Sequence, residues 1–158
     1  MRRKKSWREK LADDKGLPKV ITVTGRLAQR WGNGTCVVPA PRAVDALMRR
    51  VPKGRLVTIN ELRAALAAQH GTNFACPITM GIFSWIAAHA AAEAEAEGAK
   101  RVTPFWRTLK AGGEVNAKYP GGVAGLRARL EAEGHVIEQR GQRCFVVDFE
   151  RKLFKRLA

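Results

Sequence analysis

Thr58-Ile59-Asn60-Glu61-Leu62-Arg63-Ala64-Ala65-Leu66-Ala67-Ala68-Gln69-His70-Gly71 reads as a helix with both ends specified. Thr58 and Glu61 make a capping box: the hydroxyl accepts from a first-turn amide while the carboxylate reaches back to the amide of the cap. Leu62, Ala65, Leu66 and Gln69 keep the helical period, and Gly71 stops it. A five-residue turn leads to Pro77, which suits a first helical position because the N–H it lacks would have no partner there. The next helix carries Ile78, Ile82, Trp85, Ile86 and His89, then becomes an Ala/Glu stretch from Ala90 to Glu97 that ends at Gly98. Two helices joined by a short turn predict a helix-turn-helix.

Downstream, Thr103-Pro104 starts a further short helix, and Lys110-Ala111-Gly112-Gly113 and Tyr119-Pro120-Gly121-Gly122 are loops. Val123, Leu126 and Leu130 mark a helix that ends at Gly134. Val136 to Gln139, a turn of Arg140-Gly141-Gln142-Arg143, and Cys144 to Val147 predict a β-hairpin with a basic tip. Beside a helix-turn-helix, such a hairpin is a wing placed to touch phosphates, or a plain surface hairpin. Upstream, Val20 to Thr24 is a β-branched strand closed by Gly25, and Thr35 to Val38 is a second strand ended by Pro39. Pro41 opens a helix through Val44, Leu47 and Met48, and Val51-Pro52-Lys53-Gly54 is a turn. Residues 1–19, with Arg2, Arg3, Lys4, Lys5, Arg8 and Lys10, read as a basic tail that suits phosphate contacts, though a solvated tail is the commoner fate of such runs, and Arg151, Lys152, Lys155 and Arg156 repeat the pattern at the other end. The fold class is therefore α/β: a mainly helical winged-helix domain with a β-hairpin and a short N-terminal β extension. The expected division is a tail at 1–19, an extension at 20–43, the winged-helix domain at 44–135, and the hairpin with a basic segment at 136–158.

The 158 residues carry 29 Lys and Arg against 14 Asp and Glu, a net charge of +15. A domain this basic repels itself unless a polyanion compensates, and nucleic acid is the usual one. No apolar run reaches the roughly 18 residues of a membrane span, and the charged N-terminus lacks the apolar region of a signal peptide. Three separated cysteines give neither a disulfide framework nor zinc spacing, which fits a reducing, cytoplasmic compartment. Cys36 and Cys144 alternate with valines as strand-core residues. Cys76, ahead of Pro77, sits where a helix N-terminus lowers a thiol pKa; it is either reactive or a small buried cap residue. His70, His89 and His135 form no constellation, so no metal site is expected. No Walker loop is present, and no cofactor is expected.

The run Val51-Pro52-Lys53-Gly54-Arg55-Leu56-Val57-Thr58, then Pro104-Phe105-Trp106-Arg107, Gly112-Gly113, Tyr119-Pro120-Gly121-Gly122 and Leu130-Glu131-Ala132-Glu133-Gly134-His135, resembles in order and spacing the DNA-binding domain of the alkylguanine-DNA alkyltransferases (methylated-DNA–protein-cysteine methyltransferases). The resemblance covers about residues 44–135. It implies a winged-helix domain whose helix-turn-helix enters the minor groove and whose pocket holds a flipped base. The family's Pro-Cys-His-Arg motif falls on Pro104-Phe105-Trp106-Arg107, so a phenyl ring replaces the nucleophilic thiol and an indole replaces its histidine. Neither group accepts an alkyl group by displacement at neutral pH. The base-flipping tyrosine falls at Ile59 and the intercalating arginine near Ile78. Glu133 matches the carboxylate that orients the missing histidine, and by itself reads as a surface or helix-end acid. The pattern is similar to the alkyltransferase-like proteins, which replace the cysteine, bind alkylated DNA and hand lesions to excision repair.

The resemblance thus implies non-catalytic binding of duplex DNA, with alkylated or damaged DNA as the favoured form. Lys53, Arg55, Thr58 and Asn60 are expected at the backbone, Thr79 and Ser84 on the outward face of the second helix, and Arg140 and Arg143 in the wing. Phe105, Trp106, Arg107 and Tyr119 are base-pocket candidates, where stacking and an Arg cation suit a nucleobase; Phe105 and Trp106 either serve in that way or fill the old pocket as core. Two rivals stand: an active methyltransferase using Cys76 as the alkyl acceptor, and a basic RNA- or ribosome-associated module.

Overall fold

The capping box forms as the sequence specifies. Thr58 Oγ1 accepts from the Asn60 amide at 3.1 Å, and the Thr58 amide donates to Glu61 Oε1 at 2.6 Å. Gly71 closes the helix in the left-handed conformation that favours glycine. The structure is a computed structural model and describes residues 3–157, so Arg2 lies outside the described residues.

In chain order the elements are α1 (Trp7–Ala12), β1 (Lys19–Val23), α2 (Gly25–Trp31), β2 (Gly34–Val38), α3 (Pro41–Arg49), β3 (Val57–Thr58), α4 (Ile59–His70), β4 (Phe74–Ala75), α5 (Pro77–Ala96), β5 (Thr108–Leu109), α6 (Gly122–Ala132), β6 (Ile137–Arg140) and β7 (Arg143–Val146). Short 3-10 turns cover Phe105–Arg107, Ala111–Gly113 and Phe149–Lys152. The fold is mixed α/β. The pair α4 and α5 is followed by α6 and the β6–β7 hairpin in a winged-helix arrangement, and β1 pairs antiparallel with β2, which runs parallel to β4.

The main core joins Val44, Leu47 and Met48 of α3, Leu62 and Leu66 of α4, Met80, Phe83 and Ala87 of α5, Leu126 and Leu130 of α6, and Cys144 and Val146 of β7. A second small cluster of Val23, Cys36 and Cys76 lies under the N-terminal sheet. Strand β3 runs parallel to β5 with Thr58 opposite Leu109, which sets the start of α4 beside Lys110.

Two differences from the sequence reading stand out. Within the expected tail, Trp7–Ala12 is helical and docked: Trp7 stacks on His89 at 4.4 Å between ring centroids and meets Trp85 edge-on at 4.8 Å. The amides of Trp7 and Arg8 donate to the Glu93 carboxylate at 3.1 and 3.2 Å, a negative group placed where a helix start exposes unpaired N–H donors. The other is α2, which fills a stretch without helix signals. It starts at a glycine, has no side-chain cap and buries no residue; Trp31 against Phe74 anchors it from outside.

Candidate nucleic-acid interface

Helix α5 is apolar around most of its circumference, so packing decides which side turns inward. Met80, Phe83, Ser84, Ile86 and Ala87 are buried, while Ile78, Ile82 and Trp85 stand 61, 46 and 36% exposed. Their spacing places all three on one face. That face forms one wall of a groove of about 780 Å³, and Lys110, Glu114, Asn116, Ala117 and Lys118 form the other. Docked α1 covers the same face only from Trp85 onward.

The opposite wall is held by its backbone. The Lys110 amide donates to the Glu114 carbonyl at 2.8 Å, and the Val115 amide donates to the Cys144 carbonyl at 2.8 Å, tying the loop to β7. Gly113 has φ +84°, and a Cβ there would lie 2.4 Å from the Phe149 ring, so both backbone and packing demand glycine. Glu114 accepts from Arg143 at 2.8 and 3.1 Å and has Lys110 Nζ at 3.7 Å. The Arg143 hydrogen bonds hold its carboxyl below the usual carboxylate range. Arg140 pairs in turn with Glu138 at 3.0 Å, and both arginines lie over the Phe145 ring at 4.6 and 5.0 Å. The wing arginines are exposed, as their place at the hairpin tip requires, yet each already has an anionic partner.

Trp106, Arg107 and Glu133 build a clamp. Arg107 donates through Nε and Nη2 to Glu133 at 2.9 and 2.7 Å and through Nη1 to the Val51 carbonyl at 2.8 Å; Trp106 Nε1 donates to Glu133 at 3.1 Å. The Arg107 and Glu133 side chains are 14 and 9% exposed. Burial pushes the Glu133 carboxyl up, but the Arg107 and Trp106 donors outweigh it and leave the group below the usual range. Glu133 is the C-cap of α6, so it is the helix-end acid that its sequence position allowed, but with its side chain turned in rather than on the surface. The Arg129 guanidinium covers Trp106 at 4.4 Å and Phe105 at 5.3 Å, and is itself held by Glu95 at 2.6 Å.

Burial and hydrogen bonding bear on six of the expected site residues. Phe105 and Tyr119 are 1 and 3% exposed and meet edge to face at 6.3 Å, so these two rings fill the pocket as core. The Tyr119 hydroxyl faces Ser84 and Asn116 without a hydrogen bond of normal geometry, and burial pushes it up to about 12. Ser84 does not face out: it is fully buried and donates to the Gly81 carbonyl at 3.1 Å. Thr58 is 2% exposed and its hydroxyl is engaged as the cap. Trp106 and Arg107 are half-buried and committed to Glu133, so neither is free to line an open base pocket. Lys53, Arg55 and Asn60 are exposed, and Thr79 is half-buried with its hydroxyl directed at the Cys76 carbonyl at 3.4 Å.

All three cysteines are free and buried. Cys76 is 6% exposed at the cap of α5, and burial, with a further contribution from Cys76, pushes the neighbouring Cys36 thiol up. Among the described residues no group of three His, Cys, Asp or Glu side chains is placed to hold a metal, and no helix is long and apolar enough to cross a membrane. Sequence reasoning missed the groove, although Ile78, Ile82 and Trp85 were legible as one helical face. It also gave no role to Glu114, whose signal was only an acid inside a basic loop.

No protein-family model matches the chain, and no curated protein matches it. Among solved structures, the S. pombe protein Atl1, in complex with damaged DNA containing O6-carboxymethylguanine, aligns at 17% identity over 73% of this chain and 94% of that one, with a TM-score of 0.49.

Proposed function

We propose that this chain binds duplex DNA without catalysis, in the manner of the alkyltransferase-like proteins, and favours alkylated or damaged duplexes. The observation that carries the reading is the exposed face of α5. Ile78, Ile82 and Trp85 are presented on the second helix of a helix-turn-helix, across a groove from Lys110 and Lys118. The groove has room for a base, and the part of Trp85 that Trp7 and His89 leave exposed is an aromatic surface of the kind on which stacking is worth about 1–3 kcal/mol per base. In this reading a lesion is met at the groove, because Phe105 and Tyr119 occupy the pocket behind it. Residues 44–135 are the alkyltransferase-like domain, with 20–43 as an extension and 136–158 as wing and basic segment. Asn60, at the start of α4, and Thr79 contact the backbone.

Methyl transfer is not expected, since Phe105 is sealed and Cys76 is buried. The test is a titration of the protein against duplex DNA with and without an alkylguanine, and against structured RNA, together with mass spectrometry of the protein afterwards. Tighter binding to the alkylguanine duplex, with unchanged protein mass, is the expected result. A preference for structured RNA, or a methyl adduct on Cys76, overturns it.

A further inference from the structure

We infer that the phosphate backbone of the bound duplex is gripped chiefly by a cation platform that the C-terminal segment builds against the turn before α4, and only weakly by the wing. This rests on the DNA-binding reading and names the surface that supplies its electrostatic part. The Leu56 amide donates to the Lys152 carbonyl at 2.9 Å, the Phe154 amide donates to the Leu56 carbonyl at 2.8 Å, and Leu56 and Leu153 form a parallel bridge. Arg55 reaches the Arg151 carbonyl at 3.4 Å. Further on, Leu157 is 3% exposed within the main core, and Arg50 donates to its carbonyl.

The segment is thus pinned at both ends. Leu153, Phe154 and Leu157 turn inward, while Arg151, Lys152, Lys155 and Arg156 stand exposed. Arg55 joins them from the facing turn, with Lys53 exposed two residues before it, and a groove of about 390 Å³ is lined by Arg55, Phe154, Lys155 and Arg156.

Charge pairing separates this surface from the wing. Arg140 and Arg143 each have a carboxylate at 3.0 Å or less. Among the described residues, none of the six platform cations has a carboxylate within 4.0 Å. A cation already paired gives up that partner to meet a phosphate, whereas an unpaired one neutralises the phosphate and releases its counterion outright. A cation on docked backbone also loses less freedom on binding than one on a loose tail.

The experiment measures duplex affinity against salt for the full chain and two variants. Neutralising Lys53, Arg55, Arg151, Lys152, Lys155 and Arg156 to Gln should flatten the slope of log K against log salt by about 5, at about 0.9 per phosphate. Arg140→Gln with Arg143→Gln should flatten it by less than about 1. Lys155→Gln with Arg156→Gln serves if the sixfold variant melts early, and should flatten the slope by about 2. Equal slopes for wild type and platform variants, or a larger loss from the wing pair, overturn the inference while leaving DNA binding in place. Wild-type protein that binds anionic phospholipid vesicles but no duplex overturns both it and the functional reading.

Discussion

Glu133→Gln removes a charge on which two other side chains depend. In the wild type the carboxylate takes both Arg107 donors and the Trp106 indole within 3.1 Å. Gln offers one acceptor oxygen and turns an amide NH2 toward the remaining donors, leaving a guanidinium that is only 14% exposed with the Val51 carbonyl as its other partner. Removing one member of a buried pair costs about 3–5 kcal/mol; the carbonyl that remains puts this case near 3 kcal/mol. For a chain of this length each kcal/mol moves the melting temperature by about 2–4 °C, so the variant should melt roughly 6–12 °C below wild type at pH 7. Arg107→Met combined with Glu133→Leu should recover much of that loss, because no buried charge is then left alone. The folded-state pKa of Glu133 lies below its unfolded value of about 4.3. Its contribution is therefore present above that value and is lost as pH falls through the folded pKa, so the Gln variant should show a flatter acid limb of stability against pH. Circular-dichroism melts between pH 2 and 8 supply both readings. A single variant melting within about 2 °C of wild type, or a double variant less stable than the single, would refute the clamp.

Trp7→Ala should cost about 2 kcal/mol, since the ring is half-buried against Trp85 and His89; a denaturant titration followed by Trp fluorescence should show the lower midpoint. Phe105→Cys with Trp106→His should lower stability and still yield no methyl adduct by mass spectrometry, because position 105 is 1% exposed and Arg129 covers it. Ile78→Lys and Ile82→Lys should change stability by no more than about 0.5 kcal/mol, as exposed positions do, yet abolish any preference for an alkylguanine duplex in a competition titration. Retained preference would move lesion reading away from the groove.

The legible parts of the fold were those fixed by near neighbours. The Thr58–Glu61 box, Gly71, Pro77 and the Arg140–Arg143 turn each act within a few residues, and the structure repeats them. Docking of α1 was not legible because Trp7 finds His89 and Glu93 more than eighty residues away. Ser84 was misplaced for a different reason. An almost wholly apolar helix has no polar stripe to orient it, so a buried serine and an exposed tryptophan sit side by side on α5. The residues of the clamp were visible as motif positions, but only the fold shows that Trp106 and Arg107 share one carboxylate. Lys53, Arg55 and the basic run at 151–156 were each legible as cations suited to phosphate, but the two halves lie about a hundred residues apart, and only the fold brings Arg55 and Leu56 against residues 151–154.

Gathering six like charges on one docked seam also sets the chain against itself. Lys53 and Arg55 repel the segment that covers Leu56, so mutual repulsion works to peel residues 151–157 away while apolar contacts hold them down. Dissolved ions screen that repulsion over about 8–10 Å at moderate ionic strength. The free protein should therefore become more resistant to heat as salt is added, while the proposed complex loosens under the same change. Opposite responses of fold and complex to one variable mark a surface whose discomfort in isolation is relieved by its partner.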